Sequence, residues 1–151
     1  MTKETFTKLI LENEEIMFRL AMSMLKNEAD AQDAVQSAIL SAYEKLTTLK
    51  NEDFFRTWLM RILINVCKMQ LRHRKPVAEL TDIQTAITSS TEEVEVRAAV
   101  EALPLKFRQV VILYYTQQLS TKEIASILHI PKGTVLSRLD KARKLLRTEL
   151  E

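Results

Sequence analysis

Cys67, His73 and His129 are the only thiol and imidazole side chains in this chain of 151 residues. One cysteine excludes an internal disulfide and a cysteine-based zinc site, and two histidines complete no plausible metal constellation. No cofactor and no metal is therefore expected, and Cys67 reads most simply as a small residue of a helix. The carboxylates worth weighing for acid–base work are the Glu12/Glu14/Glu15 cluster and the Asp30/Asp33 pair. They lack a partnering histidine, a second acidic cluster at metal spacing and a phosphate loop. Gly133 is the single glycine, where average usage would give about ten. That scarcity excludes glycine-rich phosphate cradles and dinucleotide turns, which need residues that tolerate positive φ. An enzyme is not expected.

What remains is the chemistry of cations and amides. The net charge of +2 conceals a segmented distribution. Residues 1–53 carry six Lys/Arg against ten Asp/Glu. Residues 54–76 carry Arg56, Arg61, Lys68, Arg72, Arg74 and Lys75 with no acid at all. Residues 77–105 carry one basic and six acidic residues, and residues 106–151 carry nine basic and four acidic. Two basic segments separated by an acidic one suggest two contacts with a polyanion. Charge scattered on solvated helix faces is the competing explanation at this level.

These side chains have to be positioned by helices. The three prolines and the richness in Leu, Ile, Ala, Glu, Lys and Gln favour helix nearly throughout, so the expected class is all-α. Residues 5–25 show helical spacing of Phe6, Leu9, Ile10, Ile16, Met17, Leu20, Met24 and Leu25. After a break at 27–30, Asp30 can cap a second helix with Ala31, Ala34, Val35, Ala38, Ile39, Ala42 and Leu46 as its apolar stripe. Residues 47–53 read as a loop. A longer helix is expected from Phe54 to Arg72, buried through Phe55, Trp58, Leu59, Ile62, Leu63, Val66 and Met69 and stopped by Pro76. Its other face carries the basic set. Residues 77–93 lose periodicity and read as a linker. Helical signal resumes at Val94–Ala102, and Pro104 suits the first turn of a helix running to about Gln117. The N-terminus lacks the apolar core of a signal peptide, and no run approaches the eighteen or so apolar residues of a membrane span, so a cytosolic location without membrane insertion is expected.

Residues 120–147 then set a short capped helix, a tight break at Pro131 and a longer basic helix in succession, the spacing of a helix-turn-helix. Ser120-Thr121-Lys122-Glu123 is a capping box. On a wheel of about 100° per residue, Val135, Leu139, Ala142 and Leu146 share one side, and Leu150 extends that stripe. Ser137, Asp140, Lys141 and Lys144 fall on the opposite side. An apolar face backed by a mostly cationic one is what reading a major groove requires. A surface helix of a bundle would also carry a charged outer face.

Ile124-Ala125, Ile130 to Leu139 and Ala142-Arg143 together resemble the promoter-reading helix-turn-helix of bacterial sigma factors, most closely the small extracytoplasmic-function class. Asp30-Ala31-Gln32-Asp33-Ala34-Val35-Gln36 resembles the segment with which that family grips the clamp helices of RNA polymerase. Trp58 to Asn65, ending in the basic Leu71 to Lys75, resembles its melting and minus-ten-reading helix. The three motifs stand in the family's order and cover nearly the whole chain.

The resemblance implies two small helical domains joined by a flexible linker. Residues 1–76 would bind core polymerase and the minus-ten element, 77–93 would link, and 94–151 would read the minus-thirty-five element. Asp30, Asp33 and Gln36 would contact polymerase. Asn65 matches the position whose amide helps recognise a base flipped from the duplex, a step that costs a few kcal/mol in unstacking. The loop containing Leu49, Lys50 and Asn51 matches the family's base-specificity loop, and Arg61, Lys68, Arg72, Arg74 and Lys75 would supply backbone contacts. In the C-terminal domain Thr134, Ser137, Asp140 and Lys141 align with positions at the minus-thirty-five element, where lysine can donate to guanine and aspartate accept from cytosine. Lys122, Lys132, Arg138 and Arg143 would contact phosphates and set register. The helix at 104–117 would dock on the polymerase flap, although Val110, Leu113 and Tyr114 serve equally as internal core. An anti-sigma factor is the implied regulator and would hold the protein at the membrane indirectly. Leu136 stands where many relatives carry arginine, Asp140 places a negative charge toward the groove, His129 occupies a turn position often held by glycine, and Leu49 replaces an aromatic. A stand-alone helix-turn-helix regulator would explain residues 94–151 but leaves the two N-terminal motifs as coincidence, and a helical adaptor requires no basic 54–75 segment.

Overall fold

The structure is a computed structural model that describes residues 1–74 and 91–150, and among them there is no strand. Three helices form the N-terminal half: α1 (Lys3–Leu25), α2 (Glu28–Glu44) and α3 (Phe55–His73). Four form the C-terminal half: α4 (Thr91–Ala102), α5 (Leu105–Val111), α6 (Thr121–Leu128) and α7 (Lys132–Leu150). Lys75, Pro76 and most of the expected linker lie outside the described residues. Helix α4 begins three residues before the expected Val94, with Glu92 and Glu93 in its first turn, where the helix dipole favours them.

Local chemistry explains the helix ends. Thr2 caps α1 by accepting from the Thr5 amide, and Lys26 closes it in the left-handed region at φ 54°. The cap of α2 is Asn27, not Asp30: its side-chain oxygen accepts from the Asp30 amide at 2.8 Å. Asp30 lies one turn inside, where its charge still favours a helix N-terminus. The expected loop at 47–53 contains two 3-10 turns, Leu46–Thr48 and Glu52–Phe54, the second capped by Asn51. The helix after Pro104 is also shorter than periodicity predicts. Pro104 is its cap, and from Ile112 to Thr116 the backbone widens into a π turn that ends as the Gln117 amide donates to the Ile112 carbonyl.

In the N-terminal half α1, α2 and α3 pack mutually. Met17, Leu20, Ala34, Ala38, Leu59 and Leu63 are fully buried there. The α2 stripe is built from alanines, whose small side chains permit close helix approach. Helix α3 departs from its expected stripe in two ways. Met69 is 56% exposed, while Met60, Ile64 and Cys67 are buried. The reason is that α3 packs on α6 as well as on α1 and α2, so it needs a second apolar side. Val110 and Leu113 are fully buried, which assigns them to the core, whereas Tyr115 remains exposed. Leu150 is exposed too, so the apolar stripe of α7 ends at the half-buried Leu146.

The halves also meet through polar side chains. Arg108 is buried and donates to the carbonyls of Glu101 and Leu103 beside it and of Ser23 on α1. Gln117 Nε2 donates to the Ile16 carbonyl at 2.9 Å, and Arg56 Nη2 donates to the Gln117 carbonyl at 2.9 Å.

Candidate nucleic-acid interface

The acid-free helix α3 sorts its cations by direction. Arg56 is half-buried and turned toward the C-terminal half through Gln117. Arg61, Asn65, Lys68 and Arg72 fall within a sector of about 60° on the helix, and the last three are exposed. Arg61 is half-exposed and its guanidinium meets the His129 ring, which projects from the end of α6. Asn65 and the cations around it therefore form one polar strip about three turns long, with no carboxylate anywhere in Phe55–His73. Arg74 is engaged elsewhere. It donates to the Leu25 carbonyl and to Asp30 Oδ2, both at 2.9 Å, tying the end of α3 to the α1–α2 junction. One expected DNA contact and one expected polymerase contact thus neutralise each other.

In the loop before α3, Leu49 is half-buried and packs on the core, while Lys50 and Asn51 are exposed. Phe54, which sequence reasoning treated only as the start of an apolar helix, stands 60% exposed beside them.

The second basic surface is the helix-turn-helix. Ser120 accepts from the Glu123 amide and the Glu123 carboxylate accepts from the Ser120 amide, completing the capping box of α6. His129 then takes the left-handed conformation at φ 62°, and Pro131 accepts the first amide bonds of α7 from Thr134 and Val135. Val135, Leu139 and Ala142 are buried, whereas Ser137, Asp140, Lys141 and Lys144 are exposed, as the wheel predicts. Asp140 is paired with Lys144 at 3.2 Å, which offsets its negative charge. Lys122 and Lys132 are exposed, Thr134 and Arg138 are half-exposed, and Leu136 is 50% exposed. Arg143 donates to the Tyr115 hydroxyl at 2.8 Å and lies against the Tyr114 and Tyr115 rings. These contacts hold its guanidinium above its ordinary range, with the hydroxyl bond as the main cause.

On the far side of α2, Asp33 and Gln36 are exposed, and Gln36 borders a cleft with Glu14, Phe18, Val35 and Leu40. Burial pushes the Cys67 thiol up to about 12, which makes it a poor nucleophile. Among the described residues no cluster of metal-ligating side chains occurs, and no helix is long and apolar enough to cross a membrane.

Both halves of the chain match families of known proteins. Residues 9–77 match the sigma-70 region 2 family and residues 93–146 match the sigma-70 region 4 family. Among curated relatives, the RNA polymerase sigma factor SigV of Bacillus subtilis is 30% identical, with 99% of this chain and 93% of that protein aligned. The ECF RNA polymerase sigma factor SigM of Mycobacterium tuberculosis is 33% identical over 93% of this chain and 74% of its own length. The fold is shared with the sigma factor RpoE of Bartonella quintana, solved with the anti-sigma factor NepR (TM-score 0.86, 24% identity, 97% of each chain). It is shared also with CnrH, solved with the cytosolic domain of CnrY (TM-score 0.78, 24% identity, 99% of this chain and 89% of that one).

Proposed function

This chain belongs to the extracytoplasmic-function group of the sigma-70 family, and from that premise we propose how its two halves divide the work of a sigma factor. Residues 1–76 bind core RNA polymerase and the minus-ten element, 77–93 connect, and 94–151 read the minus-thirty-five element. The observation that carries this reading is the acid-free strip Arg61–Asn65–Lys68–Arg72 on α3, exposed at its last three members. A base leaves the duplex only if something offsets its unstacking, and an amide flanked by cations can hold both base and backbone. In this reading Lys75, next in sequence, adds a further cation, and the loop of Leu49, Lys50 and Asn51 contributes base specificity.

Asp33 and Gln36 offer acceptors and a donor to the polymerase clamp helices, and Asp30 joins them when Arg74 releases it. Ser137 and Lys141 reach base edges at the minus-thirty-five element, with Asp140 and Thr134 beside them. Lys122, Lys132 and Arg138 contact phosphates, as does Arg143 from its seat on the tyrosines. Two modules fixed on polymerase supply affinity and spacing specificity that neither has alone. The protein works in the cytoplasm, without a catalytic site of its own, and an anti-sigma factor is its regulator in this reading; the shared fold of RpoE, solved with the anti-sigma factor NepR, supports that assignment.

Titration of purified protein against bacterial core RNA polymerase tests the reading. Saturable binding is expected, weakened by Asp33→Ala or Gln36→Ala. No affinity for core, together with binding of a palindromic site by the protein alone, would replace it with a stand-alone regulator.

A further inference from the structure

Helix α7 keeps its large apolar side chains on the core side, with one exception in its first two turns. Val135 and Leu139 are buried, whereas Leu136 between them is 50% exposed. Lys132 and Gly133 before it and Ser137, Asp140 and Lys141 after it are all exposed. Side chains on a helix lean toward its N-terminus, so Leu136 leans over the turn that holds Gly133. Nothing lies within 4 Å of the position that a Cβ would take at Gly133, which leaves the backbone there open to close approach. The polar groups beside Leu136 are engaged within the helix itself. Ser137 Oγ donates to the Thr134 carbonyl at 3.3 Å, and Asp140 is paired with Lys144 at 3.2 Å. The start of α7 thus presents an apolar side chain among polar groups that bond to one another.

We propose that Leu136 reads a thymine of the minus-thirty-five element through its C5-methyl group. A helix-turn-helix contacts base edges with the N-terminal residues of its second helix, and Leu136 is the fifth residue of α7. In the major groove thymine alone shows a methyl group, where cytosine shows an amino donor and the purines show the N7 acceptor. Leucine placed against those polar atoms strips them of water and returns no hydrogen bond. Placed against the methyl group, it buries apolar surface on both sides. Selection therefore comes from penalising the wrong bases as well as from contact with the right one. This inference rests on the sigma-factor reading above, and within it on α7 as the helix that enters the groove.

The test uses holoenzyme assembled from core polymerase and the full chain, on a duplex promoter that the wild type selects. Each thymine of the minus-thirty-five element, on either strand, is replaced in turn by deoxyuridine, which lacks only the C5-methyl group. At one position the wild type is expected to bind about fourfold more weakly, the effect of one buried methyl group. Leu136→Ala is indifferent to deoxyuridine at that position, accepts other bases there, and keeps wild-type affinity for core. Wild-type binding unchanged by deoxyuridine at every thymine, or an equal loss in Leu136→Ala, overturns the inference while leaving the parent reading intact. Loss of core binding by Leu136→Ala assigns the side chain to a protein contact and overturns it as well. A wild-type protein that does not bind core overturns both.

Discussion

Asn65 and Cys67 stand two residues apart on α3 and face nearly opposite ways, one exposed and one fully buried. Burial is the reason the thiol is pushed from 9.0 to about 12, because the thiolate would lose its hydration. The native state keeps its proton at pH values where the unfolded chain has lost it. Stability from this group is therefore complete below about pH 9 and is lost as pH rises toward 12. Urea unfolding of wild type and Cys67→Ala across alkaline pH should show the wild type losing about 1.4 kcal/mol per unit more steeply than the variant. Parallel curves would contradict the assignment. The same burial leaves Asn65, not the thiol, as the residue of this turn that is available to DNA.

Elements here are decided mainly by their ends. The capping box of α6 satisfies two amides that the helix would otherwise orphan. Ser120→Ala should cost about 1 kcal/mol in thermal unfolding, and an unchanged midpoint would mean that α6 is held by packing alone. Gly133 has the reverse sign. It lies in the first turn of α7 with nothing within 4 Å of an added Cβ, so Gly133→Ala should stabilise by about 0.5 kcal/mol. A loss of stability would reveal a constraint that the open space does not show. The capping box and the core face of α7 were legible in the sequence because each depends on neighbours three to four residues away. The π turn at 112–116 and the second buried side of α3 were not. They follow from α6 packing across α3 and from the carbonyls that Arg108 and Gln117 reach, and those partners lie 85 and 101 residues away in the chain. The candidate site shows the same division. Periodicity identified the exposed face of α7, while the pairing of Arg74 with Asp30 and the turn of Arg56 toward Gln117 needed the tertiary arrangement.

At the scale of the molecule, the two halves are joined by a polar seam beside a shared apolar core. Burial lowers the Arg108 guanidinium from its ordinary range, with Glu101 pulling it back up. Its charge is offset by three main-chain carbonyls. Arg108→Ala should destabilise the protein by about 3 kcal/mol in denaturant unfolding, and a change below about 0.5 kcal/mol would show that the seam contributes little. The seam is not perfectly satisfied. Arg56 Nε and Gln117 Oε1 are buried without a hydrogen-bond partner among the described residues, and each such atom costs about 1–3 kcal/mol. That cost favours separation of the halves when a partner offers better bonds. Under the proposed division of work, separation would also free Arg61, which meets His129 in this arrangement.

Run-off transcription from a promoter library randomised at both elements, with holoenzyme reconstituted from core polymerase, tests the division of labour most directly. Wild-type protein should select two sequence elements at fixed spacing. Asn65→Ala should lose open complexes while keeping core binding, and Lys141→Ala should relax selection at one minus-thirty-five position. Transcripts independent of promoter sequence, or loss of core binding by Asn65→Ala in step with transcription, would contradict the account.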